Sequence, residues 1–413
     1  MFCSNYIKPV SNFFAQIQGK LFILLFFITL ISGVSSTSFS QVDTSLLKLI
    51  FENPETLEFL LSDSEEINES ESDFPIPILS NGLYGYSNRN KEIVIRCKYD
   101  KAELFDPSTG LALVVLDGKF GFIDRKGTLV IPLKYEYNLG YGMTGIIKFS
   151  EGLLPVENNG KQGYIDTKGK VVIPFKFKEA YYFSNGLAVV KVRDKYGVID
   201  REGNFVAKPK YDFCYGYVEG MCLVRIKEKY GFIDTKGNEV IPCVFDDALH
   251  FSEGLANVKS NGFWKFIDKE GKVVIDDNFE YATIFSEGMA FVKKNDLVKL
   301  IDKTGKVISQ YQFESVEPFS EGLARVQVGG KWGYIDKEGN FAIQLQFDYC
   351  QNFSEGLAAV GTENGKYGFI DKTGKIIIPP VYDDVWGFKE GFAYVKKNYQ
   401  WFFIDIFGNE YIK

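Results

Sequence analysis

Histidine is all but missing from this chain: its 413 residues include one, His250. A single imidazole excludes a His-rich metal site and leaves a Ser-His-Asp triad only that residue to build on. Cysteine is sparse and poorly spaced for metal. The six (Cys3, Cys97, Cys214, Cys222, Cys243, Cys350) contain no Cys-x-x-Cys pair. Five remain once an N-terminal signal is removed, and an odd number without such spacing indicates neither a zinc site nor a disulfide framework. They read as small buried side chains, and one disulfide among them is compatible with export. There is no nucleophile elbow and no phosphate-binding loop, because the glycines belong to turns. The apolar run Leu21–Ile31, 11 residues broken by Thr29, falls short of the roughly 20 residues of a bilayer span.

Excess positive charge is also absent. The net charge is −7, and residues 42–73 hold ten acids against one base, Lys48. Residues 74–413 hold 44 acids and 44 bases. A neutral body lacks the field that draws a phosphate backbone, so nucleic acid is not an expected partner.

At the N-terminus, Lys8 and Lys20 precede the apolar run, and Ser32, Gly33, Ser35, Ser36 and "SFSQ" (38–41) follow it. This predicts a signal peptide over 1–41, hence an exported protein with no membrane span after cleavage. Residues 42–78 are expected to hold a short helical piece around Pro54 and then an acidic, Ser-rich disordered linker.

Beyond this the chain repeats. Aligned on Ile-Asp, the aspartates are Asp124, Asp166, Asp200, Asp234, Asp268, Asp302, Asp336, Asp371 and Asp405, spaced by 42, then 34 five times, then 35 and 34. An insertion near 138–145 accounts for the long interval, and "LYGYSN" (83–88) is a worn tenth copy. A fixed period of this length marks a repeat architecture. Each unit reads as three strands, such as "GLARVQV", "KWGYID" and "NFAIQ" in 322–344. Gly follows each turn aspartate by three residues, which is the signature of a β-turn, so the repeated Asp is a turn former and not a catalyst.

In the Gly-Leu-Ala strand the second residue after Gly's own position is Ala in seven of nine copies, two positions before a Val in all nine. Period-two alternation predicts that Ala and Val are buried and that the intervening residues face outward. These variable positions form the candidate partner-binding surface: Arg325, Gln327, Asn257, Lys259, Phe291, Lys293, Tyr394 and Lys396. Each unit also carries an aromatic eleven residues after the turn aspartate and, in most copies, "Phe-Ser-Glu-Gly". Its Glu is expected on a solvated turn or paired with a lysine such as Lys331 or Lys366. A calcium ladder is the sharper alternative, but calcium needs six to eight converging oxygens, and one or two acids per unit do not supply them.

"KWG" (331–333), the Tyr-Ile-Asp turn that follows, and "FSEGLA" resemble the WG-repeat family of bacterial proteins over roughly 79–413. Gly of that pair is lost at Lys265, Lys299 and Phe402. The resemblance implies a β-rich interaction surface and supplies no catalytic, cofactor or metal residues. The expected fold is all-β, an open superhelical array of about ten three-stranded repeats, with a closed propeller-like ring as the alternative. Ten hairpins against nine Gly-Leu-Ala strands favour the open form. The expected function is a non-enzymatic scaffold for a protein or glycan partner. A glycan-acting enzyme would instead need a symmetry-breaking cleft holding a carboxylate pair, sought near 138–145.

Overall fold

The computed structural model describes residues 74–137, 147–309 and 311–413. The expected signal peptide, the helical piece and nearly all of the linker, and the insertion at 138–145 lie outside the described residues. The described residues are all strand and turn: ten small antiparallel sheets, three of three strands and seven of four. A full sheet runs in chain order, as in the fourth. A two-residue strand, Glu179–Ala180, pairs with the Gly-Leu-Ala strand Ala188–Val192, that with Lys195–Ile199, and that with the third strand Phe205–Tyr211.

The ten sheets close into a ring, so the open array expected from the terminal count is corrected to its alternative. The count missed a strand. Ile76–Ser80 pairs with Leu83–Ser87 as every Gly-Leu-Ala strand pairs with its partner, although "IPILS" carries none of the Gly-Leu-Ala letters. The array therefore starts ahead of residue 79, inside what reads as linker. Ile76 and Ile78 are buried against Phe403 and Tyr411 of the tenth sheet. The Lys413 N–H donates to Leu79 O at 2.8 Å. Tyr84 Oη donates to Trp401 O at 2.6 Å.

Every junction repeats one packing solution. Between the sixth and seventh sheets, Leu255, Phe266, Ile275 and Phe279 meet Ala282, Phe285, Ala290, Val292 and Ile301. All seven repeat alanines are buried, as are all nine valines. A single sheet cannot shield either of its faces; its neighbour does so. The ring that fills the junction is the one after the Gly, such as Phe232 or Tyr334, or after Lys265 in its place, Phe266, each with no exposed surface. The aromatic one place earlier is only partly buried at Trp264, Trp332 and Trp401.

The turn aspartates do what their spacing predicts. Asp234 Oδ1 accepts from the N–H of Lys236 and Asn238 at 2.9 and 2.8 Å. Gly237 donates to Asp234 O with φ at +80°.

The Phe-Ser-Glu-Gly segment is an inter-sheet staple and not a solvated turn. Its Phe plugs the junction, and its Ser Oγ reaches the Phe carbonyl of the next copy, as from Ser252 to Phe285 at 2.6 Å. Its Glu clasps the next turn. Glu219 accepts from the N–H of Glu253 and Gly254 at 2.5 and 2.9 Å, with Lys269 Nζ at 3.3 Å. Glu253, Glu287 and Glu321 repeat this with Lys303, Lys337 and Lys372. The expected partners Lys331 and Lys366 pair instead with Asp348 and Asp383. No group of metal-ligating side chains gathers among the described residues.

These glutamates sit at φ between +50° and +55°, a left-handed conformation that costs a non-glycine residue about 1–2 kcal/mol. The clasp offsets that cost. Where the clasp is lost, at position 185, the residue is Asn, which tolerates the conformation locally. The next sheet's lysine is lost with it: Thr235 stands where Lys269 and Lys303 stand in later copies.

Burial alone would push these carboxyls up. The backbone donors and lysines outweigh it at Glu219, Glu253, Glu287 and Glu321, which lie below the ordinary glutamate value of 4.5. A carboxyl held low contributes stability in full above its unfolded pKa and loses it as pH falls through its folded pKa. The melting temperature should therefore be flat from neutral pH to about 5 and fall below about 4.5. Circular dichroism melts across that range check this. Glu253→Gln with Glu287→Gln should lower the neutral melting temperature and flatten the acid slope. An unchanged slope would remove the clasps from the acid response.

Candidate functional site: a cleft beside the ring closure

The eight candidate residues do not form one outward face. Both faces of an inner strand are covered in a ring, so Phe291 is buried and stacks on Phe319 at 6.1 Å. Asn257 is buried too and donates across the junction to Ala282 O and Thr283 O at 3.0 and 2.7 Å. Arg325 is half-buried and bridges in the same way to Cys350 O, with Trp332 below it at 5.2 Å. Lys259, Lys293, Gln327 and Lys396 are half-buried beside the two-residue strands. Lys259 and Lys396 lie over Trp264 and Trp401 at about 6 Å. Lys293 pairs with Asp296 at 2.9 Å, and Gln327 donates to Gly330 O at 3.2 Å. The outward-facing expectation thus fails at Asn257 and Phe291 for a physical reason: alternation marks two buried faces as readily as one.

The variability sought on that strand sits elsewhere. The residue after the two-residue strand that opens a sheet, or at the same place inside the longer Phe213–Val218 of the fifth sheet, is in order Glu103, Tyr181, Tyr215, Leu249, Thr283, Glu317, Gln351 and Trp386. Their backbones share one register. Glu103 N–H donates to Leu113 O, and Trp386 N–H to Tyr394 O. Thr283 alone among them is buried, while Tyr215 is 54% and Trp386 61% exposed. Aligning the repeats by column would have found this position, since it changes chemistry in nearly every unit. His250 stacks on Tyr215 at 5.2 Å.

The two ends of this set meet at a cleft of about 390 Å³. Glu103, Leu113 and Phe122 of the second sheet form one wall, and Trp386, Phe392, Tyr394 and Phe403 of the tenth form the other. Tyr137 and Ile147–Phe149, which flank the insertion, close a third side. Among the described residues the first sheet has no two-residue strand and no Phe-Ser-Glu-Gly turn. The cleft lies where those elements would stand in a full unit. Of the eight residues predicted from sequence, Tyr394 alone lines it.

Polar groups converge on the apolar floor. Tyr84 Oη and Tyr394 Oη are 2.8 Å apart, and Tyr394 stacks on Trp401 at 5.0 Å. Burial pushes both hydroxyls up, so they stay protonated as donors. Glu103 reaches solvent along the wall, yet protein crowds it. That crowding pushes its carboxyl up, and Lys101 and Lys389 pull it back. Asp106 and Glu390 also line the cleft. An apolar pocket with a few convergent polar groups is the form a ligand site takes.

Among solved structures, a eukaryotic initiation factor aligns at 12% identity and a TM-score of 0.49, covering 80% of this chain and 98% of its own. BamB from Moraxella catarrhalis aligns at 12% identity and 0.35, covering 70% and 91%. Hsv2p from Kluyveromyces lactis aligns at 10% identity and 0.34, covering 54% and 91%. No curated protein sequence matches this one. The profile described as "WG containing repeat" matches nine consecutive segments from 84–120 through 367–401. The chain belongs to the WG-repeat family.

Proposed function

We propose that the protein is a non-enzymatic binding scaffold, exported from the cell, whose ring engages a protein or glycan partner at the cleft between the second and tenth sheets. The observation that carries this reading is the exposed Trp386 on the same apolar wall as Tyr394, whose hydroxyl is bonded to that of Tyr84. A largely exposed indole is costly to leave in water and rewarding to cover. The variable column from Glu103 to Trp386 gives a partner different chemistry at each sheet. Export rests on the charged and apolar order of residues 8–36, and the size of the mature chain from its native host checks it.

One observation favours a second reading. Glu103, Asp106 and Glu390 bring three carboxylates to the place where the repeat is interrupted, which is what a glycan-acting enzyme requires. A glycan array and an envelope-protein pull-down with the full chain separate the two. Trp386→Ala should weaken capture of the bound species at least tenfold, and Gln327→Ala should leave it unchanged. Binding indifferent to Trp386 would displace the partner from the cleft. Polysaccharide turnover abolished by Glu103→Gln would replace the scaffold with an enzyme.

A further inference from the structure

We propose that Cys214 and Cys222 are a disulfide-forming pair that staples the fifth sheet. Their Sγ atoms are 3.4 Å apart, and both side chains are buried. They lie on adjacent antiparallel strands, Phe213–Val218 and Met221–Ile226, with Cys214 opposite Val224 and Cys222 opposite Tyr217. A register shift between Cys214 and Tyr217 draws the two onto one face. A bond at about 2.05 Å asks only a small rotation of each side chain from there.

The repeat explains why the sulfurs meet. In other sheets the same two positions hold an Ala pair, as Ala180 with Ala188, Ala248 with Ala256 and Ala282 with Ala290. These pairs touch where the two-residue strand crosses the Gly-Leu-Ala strand. Only the fifth sheet has Cys at both positions; Cys350 in the ninth faces Ala358. Cys243 is the third cysteine of the fifth sheet, but its Sγ points to Val224 O. The pair also sits at the junction where the carboxylate clasp is missing. Asn185 donates to Ser184 inside its own turn instead of reaching the fifth sheet, and Thr235 replaces the lysine. A covalent link here constrains a sheet that its predecessor does not clasp.

The chemistry is thiol–disulfide exchange. One thiol loses its proton and attacks an oxidant disulfide, such as oxidised glutathione, forming a mixed disulfide and releasing one thiolate. The second cysteine, deprotonated, then attacks the protein sulfur and expels the other. Two S–H bonds become one S–S bond, and the oxidant takes two electrons and two protons to become two thiols. The hydrogen bond with the Cys222 sulfur, and then burial, push the Cys214 thiol up, so exchange belongs to the opened or folding chain.

The test uses the full chain, refolded with oxidised glutathione or with a reductant, then alkylated under denaturing conditions. No Lys or Arg lies between the two cysteines, so one tryptic peptide, residues 211–225, carries both. After oxidation it should be about 2 Da lighter than its reduced form and refuse alkylation. The oxidised protein should melt several degrees above the reduced one. Cys222→Ala, which restores the alanine of most other sheets, should fold, leave Cys214 open to alkylation and melt alike with and without reductant. Two alkyl groups on peptide 211–225 after oxidative refolding would overturn the proposal. So would a disulfide joining either residue to Cys97, Cys243 or Cys350.

Discussion

Gly231→Ala should cost about 3 kcal/mol, the upper end of what one added methyl group costs in a packed interior. A Cβ at that position would lie 2.5 Å from Ile241 O, 2.6 Å from Pro242 C and 2.7 Å from Cys243 N. All three are backbone atoms of the sheet's own third strand. Tyr230 pairs with Phe245 and Phe232 with Ile241, so two residues of one strand span four of the other. The surplus folds down over the glycine, and a methyl group can only be admitted by lifting it away. The chain contains its own comparisons. Where Lys299 replaces the Gly, the seventh sheet has no third strand among the described residues. Where Phe402 replaces it, that strand is Glu410–Tyr411 alone. The sixth sheet keeps its strand over Lys265, but Asn278 there turns to φ +51° and Asp276 takes the lysine at 3.4 Å. Thermal melts of Gly231→Ala beside Gly262→Ala, at an open hairpin tip where an added methyl meets nothing, separate the close approach from turn strain. Equal losses in the two variants would refute the close-approach account.

The second large effect concerns closure. Ile78→Asp should cost about 3–5 kcal/mol, because it buries an unpaired carboxylate at the seam between the first and tenth sheets. Ile78 has no exposed surface, and the cluster it joins is apolar. The same change at a middle junction disturbs the interior of a continuous chain. Among the described residues the two sides of the seam are held by packing, by Lys413 N–H and Tyr84 Oη, and by Lys91 over the Tyr411 ring at 6.0 Å. Small-angle scattering of Ile78→Asp should therefore show a greater maximum dimension than Val258→Asp at matched melting temperature. An unchanged dimension and a loss below 1 kcal/mol would mean that the seam does not hold the ring shut.

Much of this was legible in the residues. Asp234 and its equivalents read as turn formers and are. Ala290 and Val292 read as buried and are. The period of 34 counted the sheets correctly from the second onward. The ring was not legible, because Ile76–Ser80 keeps the shape of its strand and none of its letters. A Gly-Leu-Ala signature reports a turn and a crowded alanine. Among the described residues the first sheet has neither its preceding turn nor the two-residue strand that crowds that alanine, so nothing there holds the letters fixed. The site was hidden for a related reason. Alternation along the Gly-Leu-Ala strand separates two faces but does not say whether water covers either. Only the stacking of sheets on both sides decides that, and stacking is a property of the whole circle.

The hydrogen bond from Lys413 to Leu79 places Lys413 against the first sheet. A short linker from 413 to 74 should join them without moving either. The hairpin at Asn261–Gly262, whose tip meets nothing, then becomes a place to begin and end the polypeptide. A circle assembled from equivalent neighbours is indifferent to where its thread is cut, so the site beside the present seam could be carried in the middle of a permuted chain.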